Sequence, residues 1–160
     1  MEFIVRTFII LGTLFALLQL SGCSSKTTAT ARLPDSTASV GIAVKSPLRK
    51  LKVNELTALP ISIYNSGDGI IPSEGKADGS MKVFATYHWT RGNNEMVVWD
   101  GVRTPLGEDI GHAKSLDVSL SLKAPSDPGR YILVIDLVQE GAVWFQTTGS
   151  QTAGLLFTVE

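Results

Sequence analysis

Short apolar runs separated by Gly, Pro, Asn and Asp clusters fill the chain from Val40 onward, and no long stretch repeats its apolar residues with a helical period. The clearest run is Ser115–Leu122, in which Ser or Asp alternates with Leu or Val. Successive side chains of a strand point to opposite faces, so this segment is predicted to be a strand with one buried and one solvated face. We therefore expect an all-β domain with little helix.

Seven further segments have the length and composition of strands, and the total suits a sandwich of two sheets. Asp100-Gly101 is predicted to close a type I′ hairpin, because both residues tolerate positive φ angles. Asp127-Pro128-Gly129 is predicted to close the loop before Tyr131. We expect an immunoglobulin-like antiparallel β-sandwich over residues 40–160. The seven predicted strands are Val40–Lys45, Leu59–Tyr64, Met81–Trp89, Met96–Trp99, Tyr131–Gln139, Ala142–Gln146 and Leu155–Val159.

Two aromatic residues have structural roles in this interpretation. Trp89 lies on the presumed third strand, where immunoglobulin-like sandwiches commonly bury a Trp. Tyr131 follows a Pro-Gly turn at the start of a later strand and is predicted to form a tyrosine corner, with its hydroxyl bonded back to that corner. The alternative for Tyr131 is a buried ring with some other hydrogen-bond partner.

The amino terminus has the pattern of a targeting segment. Arg6 precedes the apolar run Phe8–Leu18, which has the length of a signal-peptide core, whereas a membrane-spanning helix, the alternative, needs about 20 apolar residues. Leu20-Ser21-Gly22-Cys23 follows and resembles the lipobox of bacterial lipoproteins. The resemblance implies that residues 1–22 are removed and that Cys23 carries a lipid anchor in the bilayer. The alternative is an ordinary thiol near a plain secretory cleavage site.

Two further expectations follow for the anchored chain. In such lipoproteins Asp after the cysteine favours the inner membrane, so Ser24 suggests a bacterial outer-membrane location, facing the periplasm or the cell surface. Eight of the sixteen residues 24–39 are Ser or Thr, with Leu33 the only large apolar residue. That composition predicts that residues 23–39 form a lipidated flexible tether.

Charge and cysteine content exclude several classes of function. The chain has 14 Lys and Arg against 15 Asp and Glu, without a basic cluster, so a nucleic-acid partner is not expected. A single Cys allows no internal disulfide and no thiolate metal site. No cofactor is expected. His88 and His112 have no close third ligand in the sequence, and the acidic loop 68–78, a weak Ca²⁺ candidate, is explained equally well by turn chemistry.

Four strings, namely Tyr87-His88-Trp89 and the segments Val97–Leu106, Ala124–Tyr131 and Asp136–Phe145, carry a family resemblance. Together they resemble the immunoglobulin-like module appended to bacterial glycosyltransferases and methyltransferases of surface-polysaccharide clusters. The resemblance covers roughly residues 59–159 and implies an association with surface carbohydrate, by analogy with the carbohydrate-binding sandwich domains of O-antigen exporters. Many such modules carry a Trp after an Asn-Ser-Gly-like turn, and the turn at residues 65–71 has none.

Strand parity predicts an unusual surface. If Tyr131 and Trp89 point inward, one sheet displays Phe84, His88, Val134 and Asp136 together on its outer face. An apolar face of this kind is either covered by another strand or by the tail, interrupted by a β-bulge, or used as a platform for a ligand or partner.

Trp99, Trp144 and Phe145 lie near strand ends and could stack on sugar rings, although such residues also occur as ordinary core. Asp100 and Arg103 are candidate partners of a sugar hydroxyl. Alternatively, Arg103 forms a structural ion pair with Asp100 or Asp136. No catalytic motif is present, and no pair of carboxylates is singled out by its spacing, so the chain is not expected to be an enzyme.

Two functions remain open from the sequence. The first is a non-catalytic lipoprotein of the cell envelope whose sandwich binds or accompanies surface carbohydrate. The second is a structural lipoprotein that docks onto another envelope protein.

Overall fold

The computed structural model describes residues 25–46 and 49–160. The predicted signal peptide and Cys23 lie outside the described residues. Ten strands and one short 3-10 helix, Phe145–Thr148, make up the regular structure of the described part. The strands are β1 (Val40–Val44), β2 (Lys50–Leu51), β3 (Leu56–Asn65), β4 (Val83–Thr90), β5 (Met96–Val98), β6 (Thr104–Pro105), β7 (Ser115–Lys123), β8 (Gly129–Gln139), β9 (Val143–Trp144) and β10 (Ala153–Val159).

The strands form two sheets in two layers. The smaller sheet has the order β1-β3-β7, and the larger has the order β2-β10-β8-β4-β5, with β6 also paired to β4 and β9 also paired to β8. All these pairings are antiparallel except that of β2 with β10, which is parallel at Lys50 and Leu51. This strand order confirms the predicted immunoglobulin-like β-sandwich.

The alternation of β7 is as predicted. Val118, Leu120 and Leu122 are buried between the sheets, while the Ser and Asp residues between them are exposed. Trp89 is fully buried and makes T-shaped contacts with Tyr131 and Phe157 at centroid distances of 6.1 and 5.4 Å. Its Nε1 donates to the carbonyl oxygen of Lys123 at 2.9 Å, so the ring's one polar atom has a partner inside the core.

Tyr131 forms the predicted corner. Its ring is buried, and its hydroxyl donates to the carbonyl oxygen of Asp127 at 2.9 Å. The loop at Asp127-Pro128-Gly129 thus closes directly onto the start of β8. The backbone oxygen of Asp127 is satisfied by the side chain of the strand that follows it.

The prediction of a hairpin at Asp100-Gly101 is wrong. The segments on either side, β5 and β6, do not pair with each other but with successive parts of β4. Gly101 is required for another reason: its N–H donates to the Tyr87 carbonyl oxygen at 3.0 Å, and a Cβ there would lie 2.5 Å from that same oxygen. Close approach to β4, rather than positive φ, explains this glycine.

Residues 25–39 pack on the domain rather than forming the predicted flexible tether. Ala29 N–H donates to the Glu74 carbonyl oxygen at 3.0 Å, and Leu33 N–H donates to the Gln139 side chain at 2.8 Å. Thr37 and Ala38 are buried. A Ser- and Thr-rich composition supplies little apolar area, but backbone and side-chain hydrogen bonds hold this segment, which composition alone does not reveal.

Candidate functional site

The predicted parity of β4 and β8 is correct, but much of their outer face is covered. Thr86 lies opposite Asp136, and His88 lies opposite Val134. The side chains of His88 and Asp136 are only 1% and 0% exposed. The prediction of an open platform at these two residues is therefore wrong. The face is covered, as in the alternative, but by two irregular segments beside the strands and not by a further regular strand or the tail.

The first covering segment leaves the edge of β4. Trp89 pairs with Val98, and Ala85 pairs with Thr104. The two residues on β4 are four positions apart, whereas their partners on the opposite segment are six positions apart. Two extra residues must loop out, and residues 99–103, here called the first excursion, contain them. A register change of this kind re-aims side chains, and here it places Trp99 against the outer face.

The second covering segment leaves the edge of β8 on the other side. Val138 pairs with Trp144, and Ile135 pairs with Ala153. The two residues on β8 are three positions apart, whereas their partners are nine positions apart. Residues 145–152, the second excursion, include the 3-10 helix. The predicted strand Ala142–Gln146 therefore ends at Trp144.

Asp136 holds the second excursion in place. One carboxylate oxygen, Oδ1, accepts from the backbone N–H of Leu137 at 2.8 Å and from that of Gln146 at 3.0 Å. The other oxygen lies 3.8 Å from Nε2 of His88. A buried carboxylate of this kind is stabilised by the donors around it, and its role is to attach the helix to the sheet.

His88 carries an aromatic cluster formed with Trp99 and Trp144. The imidazole stacks on the Trp99 indole, with centroids 4.4 Å apart and planes 22° apart, and lies 4.9 Å from the Trp144 centroid. The two indole rings are 5.3 Å apart. Nδ1 of His88 contacts the Trp99 carbonyl oxygen. Since a carbonyl only accepts, Nδ1 carries the proton, and the imidazole fixes both the backbone and the ring of Trp99.

Arg103 completes the site. Its Nε donates to Glu140 Oε2 at 2.9 Å, one Nη donates to Asp100, and the guanidinium lies 5.1 Å from the Trp144 centroid. Of the two alternative ion pairs predicted for Arg103, the pair with Asp100 is the one that forms, and Glu140 is a further partner that was not predicted. Partial burial lowers the pKa of Arg103, but the hydrogen bonds to Glu140 and Asp100 outweigh that effect and raise it above its ordinary value.

Trp99, Trp144 and Arg103 line one open cleft of about 410 Å³. Half of Trp99 is accessible, at 46% exposure, and one face of its ring is occupied by His88. The β8–β9 turn, with Gly141 at φ 71°, also lines the cleft. The lining residues are Trp99, Asp100, Arg103, Val138, Gln139, Glu140, Gly141, Ala142, Val143 and Trp144.

Two other candidate residues lie elsewhere. Phe145 is fully buried in the core and is not available to a ligand. Phe84 is half-buried beside Lys82, whose Nζ lies 5.7 Å from the ring centroid, and Phe84 does not line the cleft. Of the predicted ligand residues, Trp99, Asp100, Arg103 and Trp144 therefore come together, with His88 and Asp136 beneath them.

Sequence reasoning missed the role of two polar residues at the end of β8. Glu140 binds Arg103, and Gln139 is fully buried while its side chain bonds Leu33, Ala31 and Met81. A signal was present, because a Gln at the end of a long apolar strand needs hydrogen-bond partners if it is buried.

Two carboxylates of the acidic loop 68–78 accept hydrogen bonds from residues outside the loop. Asp68 accepts from the Thr37 hydroxyl at 2.9 Å, and Asp78 accepts from the hydroxyl and N–H of Ser80 at 2.7 and 3.0 Å. Within residues 25–46 and 49–160, no group of three or more His, Cys, Asp or Glu side chains is arranged to hold a metal ion. The same residues contain no helix with the length and apolar character needed to cross a bilayer.

Comparisons with known proteins give distant structural similarity only. No family model matches the chain, and neither does any curated protein. A CARDB domain of the PF1109 protein from Pyrococcus furiosus, solved with di-metal ions, is 13% identical, with 76% of this chain and 86% of that chain covered and a TM-score of 0.41.

Two larger proteins show comparable similarity. Spo0M, a sporulation control protein from Bacillus subtilis, is 9% identical over 76% of this chain and 49% of its own, with a TM-score of 0.46. A β-glucosidase from Listeria innocua, solved with glucose, is 11% identical over 75% of this chain and 16% of its own, with a TM-score of 0.43. The chain thus spans less than two thirds of either protein, and the fold assignment comes from strand order instead.

Proposed function

We propose that this chain is a non-catalytic, lipid-anchored protein of the bacterial cell envelope whose sandwich binds surface carbohydrate in the cleft beside Trp99. The observation that carries the proposal is the convergence of Trp99 and Arg103, from the first excursion, with Trp144, from β9, around one cleft. Aromatic faces and hydrogen-bonding side chains in a concave site are the usual elements of a small-ligand site.

Trp99 is the stacking platform. Its ring has one face against His88 and remains 46% exposed, so the accessible surface comes from the opposite face and the edges. The C–H faces of a sugar ring carry slight positive charge and fit the negative face of an indole. Trp144 has a different role, because the Arg103 guanidinium already lies against its ring.

Asp100 and Glu140 supply the polar contacts. Both carboxylates have unused acceptor capacity beyond their bonds to Arg103, and both are accessible in the cleft. Sugar hydroxyls are donors as well as acceptors, so carboxylates beside an aromatic platform can orient a ring stacked on it.

A glycan array probed with the detergent-extracted full chain tests this function. We expect binding that is lost in Trp99→Ala and retained in Tyr64→Ala. Tyr64 is the matched control, because it is similarly exposed, at 45%, but lies on β3 in the other sheet. Absence of glycan binding, or equal loss in both variants, would contradict the proposal.

The anchor is tested separately. Cys23 is the only cysteine of the chain, so Cys23→Ser should abolish incorporation of a labelled fatty acid and release the protein from the membrane fraction. Ser21→Ala, a change to another small residue in the same tetrapeptide, serves as the control. Label retained in Cys23→Ser would refute lipid attachment.

A second candidate, docking onto another envelope protein, is favoured by one observation. Leu56 is 75% exposed and lines an apolar depression with Val102, which is 40% exposed. The depression shares no lining residue with the cleft. Apolar side chains grouped in this way are common at protein interfaces. Leu56→Asp should abolish co-purification of a partner if docking is the function, and should leave glycan binding intact if the cleft is the site.

A further inference from the structure

The cleft's charged side chains define which sugars it can take. The charged groups that line it are Asp100, Arg103 and Glu140. Both carboxylates bind the same guanidinium, so one negative charge remains uncompensated. The guanidinium of Arg103 is already paired with two carboxylates, so it is a poorer binding site for an anion than a free guanidinium would be.

Arg103 is also engaged by uncharged groups. One Nη nitrogen lies 3.3 Å from both the Thr86 hydroxyl and the Gly101 carbonyl oxygen, in addition to its contact with Asp100. The side chain is 24% exposed and packs over Trp144. Its hydrogen bonds therefore brace the first excursion against β4, which is a structural role.

The two carboxylates, in contrast, face solvent at the rim. Asp100 and Glu140 are 60% and 42% exposed. A ligand stacked on Trp99 in the cleft meets these carboxylates, because Asp100 and Glu140 line the same cleft. The two carboxylates repel a negatively charged group on such a ligand, and this repulsion is stronger at low ionic strength.

We propose that the Trp99 cleft selects sugars without anionic substituents, neutral or amino sugars, and rejects uronic acids and sulfated or phosphorylated sugars through Asp100 and Glu140. This inference rests on the proposed function, since it assigns a ligand class to the same site. The selection works by unfavourable charge contacts with the wrong ligand as much as by attraction to the right one.

The test is a titration of the full chain in detergent with matched glycans that share a backbone and differ only in charge. The backbone is taken from the strongest array signal, and its neutral, amino and uronate forms are compared. We expect the uronate form to bind at least about tenfold more weakly than the neutral form, which corresponds to about 1.4 kcal/mol. Raising the salt concentration should narrow that ratio.

Variants assign the selection to the rim carboxylates. The double change Asp100→Asn and Glu140→Gln should bring the uronate and neutral affinities close together, and Asp100→Asn alone should do so in part while keeping the Arg103–Glu140 pair. Asp117→Asn is the control, because Asp117 is an exposed carboxylate on β7 in the other sheet. Circular dichroism confirms that each variant is folded.

The outcomes separate the two proposals. Tighter binding of anionic glycans that is lost in Trp99→Ala would overturn the selectivity and leave the carbohydrate site standing. An affinity ratio unchanged in the double variant would remove the carboxylates from the mechanism. No binding of any glycan on the array would overturn both proposals.

Discussion

The outer faces of the two sheets differ, although both belong to strands with clear alternation. The smaller sheet exposes Ser and Asp residues of β7 directly to water. The larger sheet carries His88, Asp136 and Thr86 in the same outward positions, and there they are buried. The difference comes from the irregular segments beside β4 and β8, which cover one face and leave the other open. A polar residue on the outward face of a strand can therefore be solvated, or it can hold a segment that covers the face. Which of the two occurs depends on whether irregular segments leave the edges of the neighbouring strands.

The largest expected effect comes from removing the buried anchor. Asp136→Ala leaves the N–H groups of Leu137 and Gln146 without their acceptor, so it should lower the free energy of unfolding by about 2–5 kcal/mol. Chemical denaturation measures this. Asp136→Asn, which keeps one oxygen acceptor, should recover part of the loss.

The matching change on the open face is Asp117→Ala. Asp117 binds Lys45 and Ser62 at 2.6 and 2.9 Å but is exposed, so water screens the pair and replaces the lost bonds. A loss as large as that of Asp136→Ala would show that the two faces do not differ in the way described.

The inward side of β8 gives the next effect. Tyr131→Phe keeps the ring's packing and removes the hydroxyl that donates to Asp127, so we expect a loss of about 1–3 kcal/mol in unfolding free energy. Glycan binding should be unchanged, since Tyr131 lies in the core. A normal denaturation midpoint together with reduced binding would contradict the assignment of faces.

A smaller and more local effect is expected at Gln139. Gln139→Ala removes the side chain that bonds Leu33 and Ala31, which should release residues 25–39 at a cost of about 1–2 kcal/mol. Faster proteolysis within that segment, with β8 still protected from hydrogen exchange, is the expected readout. Gln151→Ala, at an exposed site, is the control and should leave the segment protected.

Acid should weaken the same segment by a small amount. Partial burial raises the pKa of Asp109, but its bonds from Ser73 and Thr27 outweigh burial and lower the pKa below its ordinary value of 3.8. A carboxylate whose pKa is lower in the folded state stabilises the fold at pH values above about 4. This stabilisation is lost as the pH falls through the folded-state pKa. Hydrogen exchange within residues 25–39, corrected for the intrinsic effect of pH on exchange, should therefore become faster as the pH falls below about 4, and Asp109→Asn should make it faster at neutral pH as well.

Regular alternation made the framework predictable from sequence. The faces of β7, β4 and β8, the burial of Trp89 and the corner at Tyr131 all follow from period-two patterns and turn chemistry. The two excursions are different, because their geometry depends on how many extra residues each edge must accommodate, and no periodic signal encodes that.

The site was therefore predictable in part. Trp99, Asp100, Arg103 and Trp144 are recognisable as candidates by residue type, but Glu140 is not, since its contact with Arg103 exists only after the β8–β9 hairpin forms. The packing of residues 25–39 was missed for a related reason: it depends on hydrogen bonds to Gln139 and Glu74, which lie far away in the sequence.

Hydrogen exchange of the full chain, with and without the tightest-binding glycan of the array, locates the binding surface on the domain. If the cleft binds the glycan, protection should increase at Trp99, Asp100 and Arg103 and in residues 138–144, which line the cleft, and should not increase in β3 or β7. Protection confined to Val102, β3 and β7, which line the depression at Leu56, would contradict the carbohydrate site and place the binding surface at that depression.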